Sequence, residues 1–381
     1  VLATLGGLAL AGLALVQAGS SVLTPKNPQL AAQLLPINGL ALEQAATRQF
    51  MAGVETEEDI VPAAKAAAPV AARAFAHDPL SPKSLALMAF AEDDPAAKQQ
   101  LLTGATRLNR RDLLLQGLVL DGQVAAKDYG AALQTLDYIL RVHPEQTSAF
   151  FPILTEALKD DSAAAELGGL LDNSSPWHAN FLNFASGERD ALPNLAKLRL
   201  ARGDVSRDVD QRLISGLVAG GRIDLAHDVY VKAAGEAGAA DPSSRLGWGS
   251  GFPPFDWRLA DDAGFRAQPA IGDLALEIFV RSGKGGVLAE RLVKAPATGS
   301  LIKLSHSIAP AAQVKDVRLQ LSCPGDDEPT LDRPLRIQPM RIALPDLSGR
   351  CEFVKLAIYG RSWSGRANIR GDINQLEIVT D

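Results

Sequence analysis

The sequence predicts an α + β multidomain protein: an N-terminal transmembrane helix, a long α-helical region and a C-terminal antiparallel β-sandwich. Three observations carry this. No charged residue occurs before Lys26. From about Leu40 to Ala240, Ala and Leu dominate and helix starts are explicit. Beyond residue 258 the apolar period shortens to the two-residue alternation of strands. Composition bounds the rest. With 381 residues, 47% hydrophobic and 22% charged, the chain is an ordinary globular protein of two or three domains, which excludes global disorder. A net charge of −6 suits nucleic acid poorly, because phosphates need a basic face. Two cysteines make neither a four-thiolate zinc site nor a disulfide-dense miniprotein.

Residues 1–24 read as a signal anchor. Val1–Val16 is almost wholly apolar, and a bilayer span needs about 20 such residues, so a few more upstream would complete it. Val16-Gln17-Ala18 also fits signal-peptide cleavage after Ala18. The anchor reading places the chain in a bacterial inner membrane, single-pass, with everything after Lys26 periplasmic. Ala3, Gly7 and Ala11 recur every four residues, a small-residue face that lets membrane helices approach closely. They are the candidate contacts to a membrane partner.

Residues 25–42 read as a linker with turn signals at Asn27-Pro28, Pro36 and Asn38-Gly39. Helices fill 43–240. Ser81-Pro82, Asp94-Pro95 and Ser175-Pro176 each join an N-cap residue to a proline at the first helical position. Tyr129, Ala132, Leu136 and Pro144 have the spacing of the second helix of a tetratricopeptide repeat, and this stretch resembles that family. Gly221 … Ala226 … Tyr230 … Ala233 is a second match, and the turns near Pro79, Arg110 and Pro144 lie 31 and 34 residues apart. The resemblance implies a degenerate helical solenoid that binds a protein partner.

Residues 241–257 form a Gly- and Pro-rich junction, and 258–381 the sandwich. Strands are expected at 273–281, 287–294, 300–308, 316–322, 335–343, 351–359 and 374–379. The last of these, with Ala367-Asn368-Ile369 before it, resembles the closing strand of jelly-roll carbohydrate-binding modules. The whole order is similar to uncharacterised alphaproteobacterial envelope proteins found beside exopolysaccharide genes. That resemblance implies glycan handling.

Candidate residues follow. Cys323 and Cys351, both in expected strands, are read as a disulfide, which would stabilise by about 3 kcal/mol. Phe252, Phe255 and Trp257 are read as packing the helices onto the sandwich. Trp363, with Arg361 in the same loop, is the candidate contact to a partner or glycan, since a flat apolar ring with a polar edge grips sugars. Gly283-Lys284-Gly285-Gly286 lacks the Gly-Lys-Ser/Thr ending of a phosphate loop and reads as a turn. Asp256, Asp261 and Asp262 read as solvated rather than as opposed acid/base pairs. Asp326-Asp327-Glu328 reads as a solvated turn rather than a weak calcium site. The five histidines are scattered. No catalytic residue, cofactor or metal is expected.

Residues 251–381 hold 17 basic and 16 acidic residues, a net of +1; the remainder holds 21 and 28, a net of −7. The resulting expectation is a non-catalytic, membrane-anchored periplasmic scaffold or accessory subunit. Its partners would be membrane proteins bound through the N-terminal helix and the helical repeats, with no nucleic acid. The alternative is a glycan-binding envelope protein acting through the sandwich.

Overall fold

The computed structural model describes every residue except 1, 173, 203–204, 236–245, 273–274, 338, 348 and 381; at 2–9 and 57 it describes the backbone alone. The chain forms two compact units, Val1–Phe150 and Phe151–Asp381.

The first unit is helical: α1 Leu2–Leu23, α2 Pro28–Leu34, α3 Gly39–Ala52, α4 Ile60–His77, α5 Pro82–Ala91, α6 Pro95–Leu108, α7 Leu113–Ala125 and α8 Tyr129–Val142. Side-chain caps fix many starts. Asp94 accepts from the N–H groups of Ala96 and Ala97, Asp112 from Leu115 and Asp128 from Ala131. Consecutive helices pack on one another from α3 through to α8, and α3 also meets α5, and α5 meets α7. This nearest-neighbour stacking is how helical arrays build a core. Alanines at 63, 64, 67, 71, 86, 89 and 105 are buried between Phe50, Leu87, Phe90 and Leu115, which keeps the helix axes close. In α8, Ala132 and Leu136 are buried while Tyr129 is exposed.

The N-terminal expectation needs correction. Among the described residues no helix is long and apolar enough to cross a membrane. The transmembrane anchor, and with it the single-pass inner-membrane placement, is therefore withdrawn. The physical reason lies in the second half of α1. Ser20 and Thr24 are buried against this unit's own helices. The Ser20 hydroxyl donates to Ala31 O (3.0 Å), and Asn38 Nδ2 donates to Ser20 Oγ (2.8 Å). That polar seam ties the end of α1 to α2 and to Asn38, the N-cap of α3, where a lipid-facing helix would carry apolar side chains. Of the small-residue face, Ala3 and Gly7 fall where side chains lie outside the described residues, and Ala11 is exposed. The stretch read as a linker, 25–42, contains α2, capped by the Asn27 side chain, and the start of α3, capped by Asn38.

Helix α9 (Thr147–Ala157) spans the boundary between the units. The second unit continues with α10 Asp161–Leu170, α11 Pro176–Ala185, α12 Leu192–Ala201, α13 Arg207–Ala219 and α14 Ile223–Ala234. A bidentate ion pair is buried between α12 and α13, with Arg199 Nε 2.7 Å and Nη2 3.1 Å from the two Asp210 oxygens.

The β-region follows: β1 Arg258–Leu259, β2 Phe265–Pro269, β3 Leu276–Val280, β4 Gly285–Lys294, β5 Ser300–His306, β6 Val317–Ser322, β7 Leu331–Pro334, β8 Met340–Ala343, β9 Phe353–Arg361 and β10 Ile369–Thr380. Two five-stranded antiparallel sheets form, ordered β1-β4-β9-β6-β7 and β2-β3-β10-β5-β8. Among the described strands only β2–β3 and β6–β7 connect within a sheet; the other connections cross between sheets. Inward residues such as Ile278, Ile302, Ile373 and Leu376 meet Leu288, Leu319, Leu356 and Ile358 in one core. The single strand expected over 335–343 is instead a loop and β8, preceded by β7 at 331–334. Pro334 and Pro339 have no N–H to extend a ladder.

Cys323 and Cys351 are bonded, with Cα atoms 5.8 Å apart. Both lie just outside strands, after β6 and before β9, rather than within them. Because β6 and β9 are antiparallel neighbours, the bond joins two adjacent strand ends.

Candidate functional site

Strand pairing assembles one end of the sandwich. Ile369, which opens β10, is opposite Val280, which closes β3. Arg361, which closes β9, is opposite Gly285, which opens β4. The β3–β4 turn (281–284) and the β9–β10 loop (362–368) therefore share an edge. Hydrogen bonds tie them to each other and to Gly264, which precedes β2. Ser282 N–H donates to Asn368 Oδ1 (2.9 Å), Ser362 N–H to Lys284 O (2.9 Å) and Arg281 N–H to Gly264 O (2.8 Å). Gly283 turns at φ +76°, which an L side chain rarely adopts. A Cβ on Gly285 would stand 2.6 Å from Gly360 O, so only glycine permits this close approach.

The loop is anchored from below. Ser362 and Gln313 are both buried. The Ser362 hydroxyl donates to Ala367 O (2.8 Å) and lies 3.2 Å from Gln313 Oε1, while Gln313 Nε2 donates to Ala367 O (2.9 Å). Between these fixed points Trp363 stands 51% exposed. The Arg361 guanidinium lies 4.3 Å from its ring centroid, a cation–π contact that holds the indole upright. Arg281, Lys284 and Arg366 are exposed around it.

The adjoining outer face of the sheet continues the edge. Phe279 projects there, with Arg266 of β2 and Arg370 of β10 opposite it in register. The Arg266 guanidinium lies 5.8 Å from the Phe279 ring. The next row holds Gln268, Glu277 and Asp372, and Gln268 Nε2 donates to Glu277 Oε2 (2.7 Å). These side chains line a cleft of about 230 Å³.

A second cluster of aromatic and charged groups is buried. Phe255 stacks on Tyr230 of α14 (5.2 Å) and contacts His227 (5.2 Å) and Phe353 of β9 (5.8 Å). Phe252 is half-buried, with Arg207 of α13 5.2 Å from its ring. Trp257 is fully buried. Its Nε1 donates to Gly247 O (2.8 Å), Trp248 lies 5.0 Å away, and Arg291 lies 5.5 Å from its ring. Asp256 uses both oxygens, accepting from Tyr230 Oη (2.9 Å) and Phe252 N (2.8 Å). Burial and the neighbouring Asp256 hold the Tyr230 phenol well above its ordinary range. Burial pulls the Arg291 guanidinium down, and Tyr230 and Asp256 oppose that pull. Burial likewise lowers His227, helped by Lys294. Asp256, Tyr230 and the Trp257 indole are satisfied within this cluster, while Arg291 Nε is buried with no hydrogen-bond partner among the described residues; the cluster is a packed joint.

Elsewhere, Asp326 pairs with Arg350 (2.9 Å). Among the described residues no three His, Cys, Asp or Glu side chains converge to hold a metal ion. The basic surround of Trp363 was not read from the sequence. Its signal was present, since 281–289 and 361–371 hold five basic residues and no acidic one.

No family model matches the chain, and no curated protein matches it. Over 33% of its length the chain is similar to the solved structure of TmCBM61 in complex with beta-1,4-galactotriose, at 10% identity and a TM-score of 0.21, covering 88% of that chain. A likeness this weak decides nothing about what this chain binds.

Proposed function

We propose that this chain is a non-catalytic glycan-binding protein acting through the sandwich end at Trp363. One observation carries the reading: a tryptophan half exposed in a loop that is itself rigidly pinned. Exposed apolar rings are unfavourable in water unless a ligand covers them, and a pre-positioned ring loses little entropy on binding. The helices of the first unit would serve a supporting role, as a degenerate tetratricopeptide-like stack. The membrane-anchored scaffold is set aside because no described helix can span a bilayer.

The test is a titration of the full chain against a panel of neutral and acidic oligosaccharides, followed by tryptophan fluorescence. Binding to at least one member, lost in Trp363→Ala with an unchanged melting temperature, is the expected result. Equal binding by wild type and variant would sink the reading.

A further inference from the structure

The electrostatics of this edge narrow its ligand class. Arg281, Lys284, Arg361 and Arg366 are exposed on the turn and loop that hold Trp363, and Arg266 and Arg370 flank Phe279 on the adjoining sheet face. None of the six makes an ion pair among the described residues, although Arg258, Arg318 and Arg350 of the same β-region each do. The acidic neighbours are partly engaged. Asp262 accepts from Gly264 N–H (2.8 Å), Glu277 from Gln268, and Asp372 from Ser307 (3.3 Å); Asp261 lies on the same turn. Arg266 and Arg370 share their cleft with Glu277 and Asp372, and Asp261 is bridged to Arg266, so the net positive charge of this edge sits on Arg281, Lys284, Arg361 and Arg366, while residues 251–381 as a whole carry only +1.

Placement makes the cations usable together. Phe279 lies three residues before Ser282 along β3, about 10 Å at strand rise, and the Ser282 hydroxyl is 3.5 Å from Trp363 O. Lys284 is steered outward, because its stem packs against Gly264, where a Cβ would come within 2.7 Å of Lys284 Cγ. Two aromatic platforms thus sit along one edge with cations on both sides of each. A neutral sugar needs the platforms and has no use for the four cations on the turn and loop that hold Trp363.

We infer that the edge from Trp363 to Phe279 binds an acidic polysaccharide, a chain whose sugar rings stack on the aromatics while its carboxylates pair with Arg281, Lys284, Arg366 and Arg370. This rests on the glycan reading above. Basic surfaces with aromatics also suit single-stranded nucleic acid. The acidic glycan is favoured because the edge offers one exposed tryptophan, where a single strand stacks successive bases on successive rings.

The experiment measures binding of the full chain to polygalacturonate, to neutral β-1,4-galactan and to a single-stranded oligonucleotide, at low and high salt. The variants are Trp363→Ala and the triple Arg281→Gln/Lys284→Gln/Arg366→Gln. The expected result is a preference for polygalacturonate that weakens with salt and falls about tenfold in the triple variant, since each screened surface contact changes affinity two- to threefold. Equal affinity for both glycans, with no effect of the triple variant, overturns the acidic class and leaves the glycan reading standing. Tighter binding of the oligonucleotide overturns it in favour of nucleic acid. No binding to any glycan overturns both.

Discussion

Two Arg–Trp pairs lie on the same sheet of the second unit and behave oppositely. Arg291 lies 5.5 Å from the ring of Trp257, which is wholly buried. Arg361 lies 4.3 Å from the ring of Trp363, which is half exposed. Strand β9 connects the two neighbourhoods. Its first residue, Phe353, packs in the buried cluster, and its last, Arg361, supports the exposed one, about 26 Å away at strand rise. The same two side chains make a joint where water is excluded and a binding surface where it is not. Around Trp257 each polar group is turned inward, as Asp256 shows by accepting from both Tyr230 and Phe252. Around Trp363 the backbone is satisfied and the charges face outward.

The contrast can be broken most severely at the buried pair. Trp257→Ala removes a fully buried indole and strands Gly247 O, so stability should fall by about 3–5 kcal/mol, read by thermal denaturation. A loss under 1 kcal/mol would mean that Trp257 is not a core element. The disulfide should come next. It closes the end of β9 that holds Phe353, remote from Trp363. Reduction, or Cys351→Ser, should cost about 3 kcal/mol while leaving saccharide affinity in the folded protein unchanged. A parallel fall in affinity would show that the two ends of β9 are coupled.

A smaller effect is expected from pH. Burial depresses His227 below its ordinary 6.5, so the folded protein keeps the imidazole neutral where the unfolded chain takes up a proton. This contribution to stability is present above pH 6.5 and is lost as pH falls through the window beneath it. Lys294 reinforces the depression, while Asp228, Asp224 and Glu352 oppose it. Melting temperatures at pH 8 and pH 5.5 should therefore differ more in wild type than in His227→Phe, and equal differences would refute the assignment. The smallest change in stability belongs to Trp363→Ala, within about 0.5 kcal/mol, as for an exposed side chain. Saccharide affinity should nonetheless drop by roughly thirtyfold if the ring is the main contact. That pairing of a negligible stability change with a large binding change is the opposite of Trp257→Ala.

Local signals in the sequence reached far. Ser81-Pro82, Asp94-Pro95 and Ser175-Pro176 are helix starts because the fixed φ of proline suits the first turn, and at Asp94 the side chain also caps it. Strands such as β4, β6 and β9 announced themselves by alternation. The reading failed where a local pattern met a non-local partner. The uncharged run before Lys26 looked like a membrane helix. Its Ser20 and Thr24 make sense only beside Ala31 and Asn38, residues of other helices. Two-residue β1 is too short to carry a period. Strand β7 is recognisable only through its partner β6.

The candidate site divides the same way. That Trp363 lies in a polar loop, and that Cys323 and Cys351 are the sole cysteines, are facts of the chain itself. The sequence by itself determined that a helical region precedes a run of strands, where the basic stretches 281–289 and 361–371 fall, and that no acid lies within them. Only the tertiary structure decided that those two stretches, some 80 residues apart, share one edge through the pairings Val280–Ile369 and Gly285–Arg361. It also decided which tryptophan is structural and which is offered to solvent. The physical reason is that propensity and capping act over a few residues. Burial and charge density are properties of surfaces, and those surfaces exist only once distant strands have paired.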